Sequence, residues 1–219
     1  MAAGLFGDFP LSEDHKAWRE DAAFLADYKT LSPLNPYSQD RKWTLREYTR
    51  QTDALSGDMA ECGCYEGASA FFMLQASSHG TLYLFDSFQG LSEPDDQDLQ
   101  GKTGVRNWEA GDLNSSEQTL RRNLNAYDRF VVLPGWIPAR FAYVSERRFR
   151  LVHIDVDLYQ PTKDSLEFFY PRMVEGGAIV IDDYGFLTCP GARTAADEFA
   201  ASVGKRMLHL PTGQGVLMR

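Results

Sequence analysis

Positive charge is scarce in this chain of 219 residues: 22 lysines and arginines stand against 31 acids, a formal net charge of -9. Phosphate backbones are held by clustered Lys and Arg. The dense basic spots, Arg121-Arg122 and Arg147-Arg148, are too short to form such a surface, so no nucleic-acid partner is expected. Cysteine is nearly as scarce: Cys62, Cys64 and Cys189 make an odd count without C-x-x-C spacing. That argues against a disulfide frame or a thiolate zinc site and predicts reduced thiols. No stretch approaches the roughly 18 uninterrupted apolar residues of a membrane span. The opening MAAGLFGDFPLSEDHKAW has neither the basic nor the apolar segment of a secretory signal. The expectation is a cytoplasmic protein with no membrane partner.

What is present is enough apolar residue, 43% of the chain, to bury one large core. Two helical patterns come first, from about Ser12 to Tyr28 and from about Asp40 to Leu55, with Trp18, Ala22 and Leu25 spaced to share one face. They predict a helical lid or packing segment over residues 1–56, and aromatics such as Trp18, Phe24 and Trp43 suit either a homo-oligomer surface or packing on the chain's own sheet. From Asp58 onward apolar runs alternate with helical patterns: MAEC, TLYLFD, RFVVL, FRLVHIDVD and GGAIVIDD, each followed by a helix. Such alternation demands right-handed β-α-β crossovers. The fold class is therefore α/β, doubly wound and Rossmann-like, over residues 57–219. RMLHLP and GVLMR, joined by PTGQG, add a terminal antiparallel hairpin and bring the sheet to seven strands.

The first strand and turn read Glu61-x-Gly63-x-x-x-Gly67. This is not the dinucleotide fingerprint G-x-G-x-x-G, because a carboxylate stands where pyrophosphate would lie. Such a carboxylate can hold an ammonium group or orient water around one. The second strand ends in Asp86, where doubly wound sites grip ribose hydroxyls. Together these favour a ligand with a ribose, a cationic amino acid and no phosphate, features that S-adenosylmethionine has.

Four further acids close the last two parallel strands: Asp155 and Asp157 in HIDVDLY, Asp182 and Asp183 in VIDDYG. If those strands are neighbours the carboxylates converge, and like charges so close require either a shared proton or a cation among them. An all-oxygen set suits a hard ion, Mg²⁺ best, with Mn²⁺ or Ca²⁺ as alternatives. His153 lies deeper in its strand and reads as a buried, satisfied side chain.

The segments GDMAECGCYEGASAFFM, LYLFDSFQGLSEP, LPGWIPARF, IDVDLYQPTKDSLEFFYPRM, GGAIVIDDYG and PGARTAADEF together resemble the macrocin O-methyltransferase family. The resemblance implies a class I methyltransferase that uses S-adenosylmethionine, releases S-adenosylhomocysteine and depends on a divalent metal. Its substrate class would be a small-molecule hydroxyl acceptor, a sugar or polyol of a natural product with vicinal hydroxyls on the metal. It places the metal ligands on Asp155, Asp182 and Asp183 and the general base on Asp157. The cofactor would meet Glu61, Gly63, Gly67, Asp86, Ser87, Trp136 and Asp155, with Gly90 shaping the adenosine side and Tyr159, Tyr184 and Arg193 flanking the acceptor. Catechol-type relatives carry a lysine three positions after the first metal aspartate, where this chain has Leu158.

A nicotinamide-dependent oxidoreductase and a non-catalytic nucleotide- or metal-binding module are the competing readings. The first lacks its glycine fingerprint; the second has no use for a base beside its cation. The connection from Asp86 to about Ser115 is too long for mere wiring and is expected to cover the ligand edge.

Overall fold

The computed structural model describes residues 17–32, 38–99 and 108–219. Five parallel strands, β1 (Asp58–Cys62), β2 (Leu82–Asp86), β3 (Phe130–Pro134), β4 (Phe149–Ile154) and β5 (Met173–Ile181), alternate with helices. The short strand β6 (Leu208–His209) and β7 (Gly215–Met218) complete a seven-stranded sheet in the order β3-β2-β1-β4-β5-β7-β6, with β7 antiparallel to both neighbours. This is the doubly wound sheet with terminal hairpin that the alternation of apolar runs predicts.

Both faces of the sheet are covered, so its central strands read as nearly continuous apolar runs. Alternate residues serve opposite cores: Ala60, Cys62, Val152 and Ile154 pack in one, Met59, Leu151, Ala178 and Val180 in the other. Helix α6 (Tyr159–Phe169) puts Leu166 and Phe169 into the first core, alongside Ala196 and Ala200 of α7 (Pro190–Ser202). Helix α4 (Ala68–Ala76) and α5 (Glu117–Asn123) cover the second, through Met73, Leu74 and Leu120. Where a helix was expected over IPARFAYVS there is a 3-10 turn, Ala139–Val144.

The N-terminal region departs from expectation. The predicted single helix is split into α1 (Ala17–Glu20) and α2 (Ala22–Leu31), because Asp21 caps α2 by accepting the Phe24 N–H at 2.9 Å. Ser12 lies outside the described residues. The buried face of α2 is Phe24, Tyr28 and Leu31, whereas Ala22 is exposed. Phe24 packs against Trp43 at 5.2 Å and Phe72 at 4.9 Å, so this aromatic contact is made within the chain. Helix α3 (Gln39–Thr52) then lies on α4 and reaches the ends of β4 and β5. No described helix is long and apolar enough to cross a membrane.

Candidate active site

Three strand ends are tied at one level. The Asp155 N–H donates to the Cys62 carbonyl at 2.9 Å, and the Asp182 N–H donates to the Ile154 carbonyl at 2.8 Å. The parallel register sets Glu61 beside His153 and His153 beside Val180. The four aspartates therefore emerge together at the carboxyl edge, where open α/β sheets bind ligands.

A cavity of about 700 Å³ opens there. Its walls include Gly63, Cys64, Tyr65, Asp86, Ser87, Gly90 and Trp136 on one side, and Asp155, Asp157 and Asp183 on the other. Helix α3 and the chain before it contribute Leu31, Ser38, Arg41 and Lys42. Of the residues expected at the cofactor, Gly63, Asp86, Ser87, Trp136 and Asp155 line this cavity; Glu61 and Gly67 do not.

Glu61 is fully buried behind the turn, in the sheet. Its Oε1 meets His153 Nδ1 at 2.9 Å, and its Oε2 has no hydrogen-bond partner in the described structure. Gly67 faces away too: a Cβ there would stand 3.3 Å from Leu120 Cγ, so this left-handed position gives room to α5. Gly63 is at the cavity wall, but its close approach is to the chain itself. A Cβ on Gly63 would lie 1.7 Å from the Asp155 carbonyl oxygen, so glycine is what lets β1 and β4 converge. Asp86 holds the turn from the other side: Oδ2 accepts the Cys64 and Tyr65 N–H groups at 2.7 and 2.8 Å, and Oδ1 accepts the Phe88 N–H at 2.7 Å.

The acids fall into two groups. Asp155 and Asp182 gather with His153, while Asp183 gathers with Asp157 and Cys189. The first group is rich in counter-charge. Arg41 bonds Asp182 Oδ2, Gln214 Nε2 donates to its Oδ1 at 2.8 Å, and Lys42 Nζ stands 3.6 Å from Asp155 and 4.0 Å from Asp182. Burial opposes ionisation of Asp182, yet Lys42, His153 and Arg41 outweigh it and hold the carboxyl well below the usual carboxylate range. His153 is raised to about 9: burial disfavours its charge, but Asp182 and Glu61 more than compensate.

In the second group no described cation forms an ion pair with a carboxylate, and the more distant Arg41 does not offset burial. Burial, then the charge of Asp155, pushes Asp157 up to about 7. Burial and Asp157 likewise push Asp183 well up. Asp157 adopts a left-handed backbone, φ 60°, and its N–H donates to Asp183 Oδ2 at 3.2 Å. The alternation that would align His153, Asp155 and Asp157 therefore stops at the strand end, and Asp157 is aimed by its own turn.

Tyr159 and Tyr184 turn to α7, donating to Glu198 and Asp197 at 2.7 Å each; Arg193 lies near the Tyr184 ring, its guanidinium carbon 5.3 Å from the ring centroid. Sequence reasoning missed Arg41 and Lys42. A signal existed, since Asp-Arg-Lys at 40–42 is a basic pair at a helix start, but only the fold carries it to the acids. Cys189 and Trp108 were missed as well: Cys189 Sγ lies 3.5 Å from Asp157 Oδ1 and accepts the Trp108 indole N–H at 3.4 Å.

Residues 40–209 match the macrocin O-methyltransferase family. The demethyldecarbamoylnovobiocin O-methyltransferase of Streptomyces niveus is 32% identical over 67% of this chain and 59% of its own length. The mycinamicin III 3''-O-methyltransferase of Micromonospora griseorubida is 32% identical over 67% of this chain and 61% of its own. The matches thus span about 60% of these curated relatives. Among solved structures, the O-methyltransferase NovP superposes with TM-score 0.66 at 24% identity, covering 84% of this chain and 83% of that one. The calicheamicin methyltransferase CalS11 superposes with TM-score 0.69 at 19% identity, over 96% and 98%. The fold is that of class I O-methyltransferases, and by the extent of the family match the chain belongs to the macrocin O-methyltransferases.

Proposed function

We propose that this chain is an S-adenosylmethionine-dependent O-methyltransferase acting on a sugar hydroxyl of a natural product, with vicinal hydroxyls directed at a divalent ion. The observation that carries the reading is the meeting of Asp155, Asp157 and Asp183 with a glycine-turn cavity at one sheet edge, with Asp182 buried behind them. The sugar follows from what the relatives are named for: mycinamicin III is methylated at a 3'' position by one of them. Within residues 1–56, the described helices α2 and α3 serve in this reading as a cover on the same domain.

The residues suit both groups. Gly63, Cys64, Tyr65, Asp86, Ser87 and Trp136 form the cofactor wall. Asp86 Oδ1 takes a single backbone donor and keeps a lone pair for a ribose hydroxyl. Glu61 acts from behind the wall, through His153, whose Nδ1 meets its Oε1 at 2.9 Å. Five carboxyl groups, Glu61 and the four aspartates, stand against three basic groups, Arg41, Lys42 and His153, so the metal-free cluster carries an excess of acid that a divalent ion would offset. Asp155 and Asp183 would offer it hard oxygens at the cavity wall, and Asp182, whose two oxygens meet Arg41 and Gln214, would complete the set by exchanging one of those partners for the ion. A bound Mg²⁺-class ion would supply Lewis acidity to the acceptor hydroxyl.

Asp157 would take the hydroxyl proton on its carboxylate. Without a metal, burial and the charge of Asp155 raise its carboxyl to about 7; a bound cation would lower it from there and favour the carboxylate that accepts the proton. Asp183 fixes the turn that aims it. The cavity and the chain over it would exclude water from the methyl in transit.

Calorimetry with S-adenosylmethionine and NAD tests the class: preferential NAD binding would reject the reading. For the base, Asp157→Asn is expected to bind cofactor normally while turnover falls on the order of 10²-fold or more. Unchanged turnover would remove Asp157 from the chemistry.

A further inference from the structure

Lys42 enters the acid cluster without bonding to it. Its ammonium stands 3.6 Å from Asp155 Oδ2 and 4.0 Å from Asp182 Oδ2, beyond hydrogen-bond length to either. The residue is buried, 8% exposed, at the cavity wall. Its neighbour is held quite differently. Arg41 bonds Asp182, donates to Ser38 Oγ at 2.5 Å, and stacks over Phe186 at 4.9 Å. One cation is therefore clamped by three partners, and the other is suspended between two carboxylates.

The interval that Lys42 fills is the one a hard divalent ion would use to draw Asp155 and Asp182 together. Such an ion binds carboxylate oxygens at roughly 2.0–2.6 Å, which a resident ammonium at those same atoms opposes by repulsion and by occupancy. The lysine stem has four rotatable methylenes and an open cavity beside it, so withdrawal needs no helix to unfold.

We propose that Lys42 is a built-in counter-cation of the metal-free site, standing where the divalent ion belongs, so that metal loading and withdrawal of Lys42 are one event. This rests on the metal part of the proposed function. Metal affinity is then set partly by Lys42, a residue of α3 that coordinates nothing.

Two measurements on the full chain test it. Calorimetric titration with Mg²⁺ and Mn²⁺ should give dissociation constants at least about tenfold lower for Lys42→Met than for the wild type. Equal or weaker binding by the variant overturns the inference while leaving a metal site intact; no binding to either protein overturns both. Should Lys42→Met fail to fold, the wild type answers alone. Limited acetylation followed by peptide mapping should show Lys42 modified severalfold faster at saturating Mg²⁺, with the exposed Lys29 and Lys205 unchanged. A Lys42 rate unmoved by metal overturns the inference.

Discussion

The Cys189 thiol lies 3.5 Å from Asp157 Oδ1, and its sulfur accepts the indole N–H of Trp108 at 3.4 Å. Trp108 belongs to the long connection after β2 and Cys189 precedes α7, so this sulfur joins the chain over the cavity to the candidate base. The thiol is buried and its ionisation strongly disfavoured, first by burial and then by Asp183 and Asp157, so it stays an S–H donor. Cys189→Ala should therefore lower kcat about tenfold with KM nearly unchanged, and Cys189→Ser, which keeps a donor, should restore most of it. Identical kinetics for the two variants would show that the hydrogen bond plays no part.

The same connection is fastened a second time. Asp98 Oδ1 accepts the Tyr159 N–H, at the start of α6, at 2.7 Å. A Cβ on Gly191 would stand 1.8 Å from that oxygen, so α7 carries a glycine where the carboxylate fits. Gly191→Ala is expected to expel Asp98 and cost about 1–3 kcal/mol. Hydrogen exchange should find the Tyr159 amide markedly less protected, and protection equal to wild type would show that the carboxylate is not what holds it.

The sheet was legible because its strands announce themselves: short apolar runs, each followed by a helical pattern, leave few topologies once crossovers must be right-handed. The acid cluster was legible for the same reason, since neighbouring parallel strands deliver their ends to one edge. Pairings set by register or by distant contacts were not legible. Glu61 turned inward because β1 places it beside His153, and no spacing in the sequence encodes that register. Gly63 looked like a turn for a ligand; its missing Cβ serves the Asp155 carbonyl. Asp21 hid inside a helical period, where its capping side chain, not apolar spacing, decides the break. Arg41 and Lys42 reach the acids only through the packing of α3 on the sheet.

Asp86 makes a prediction that separates scaffold from contact. Its carboxylate accepts three backbone N–H groups, from Cys64, Tyr65 and Phe88, with no ribose present. An amide in its place turns an N–H₂ toward at least one donor, so Asp86→Asn should cost on the order of 1–3 kcal/mol in the cofactor-free protein. A residue serving only the ribose would leave cofactor-free stability untouched and weaken binding alone. Urea denaturation without ligand, beside calorimetry with S-adenosylhomocysteine, reads the two effects apart.

His153 sets the pH dependence of the metal-free fold. Glu61 and Asp182 face its two ring nitrogens at 2.9 and 3.4 Å, so both nitrogens are best used as donors, the imidazolium form. Its pKa rises from 6.5 to about 9, against the opposing effect of burial. A group raised in the folded state binds its proton more tightly there than when unfolded. Its stabilisation is therefore complete below about pH 6.5, shrinks as pH climbs, and is gone once pH passes about 9. A rise of that size corresponds to roughly 3 kcal/mol. Asp157, raised from 3.8 to about 7, tilts stability the same way over a lower window. Denaturation midpoints of the metal-free protein should thus fall steadily from pH 6 to pH 9.5, while His153→Gln, less stable at pH 6, should lose the part of the slope that lies above pH 6.5. A wild type as stable at pH 9.5 as at pH 6 would mean that His153 is neutral in the fold and that Glu61 or Asp182 carries the proton instead.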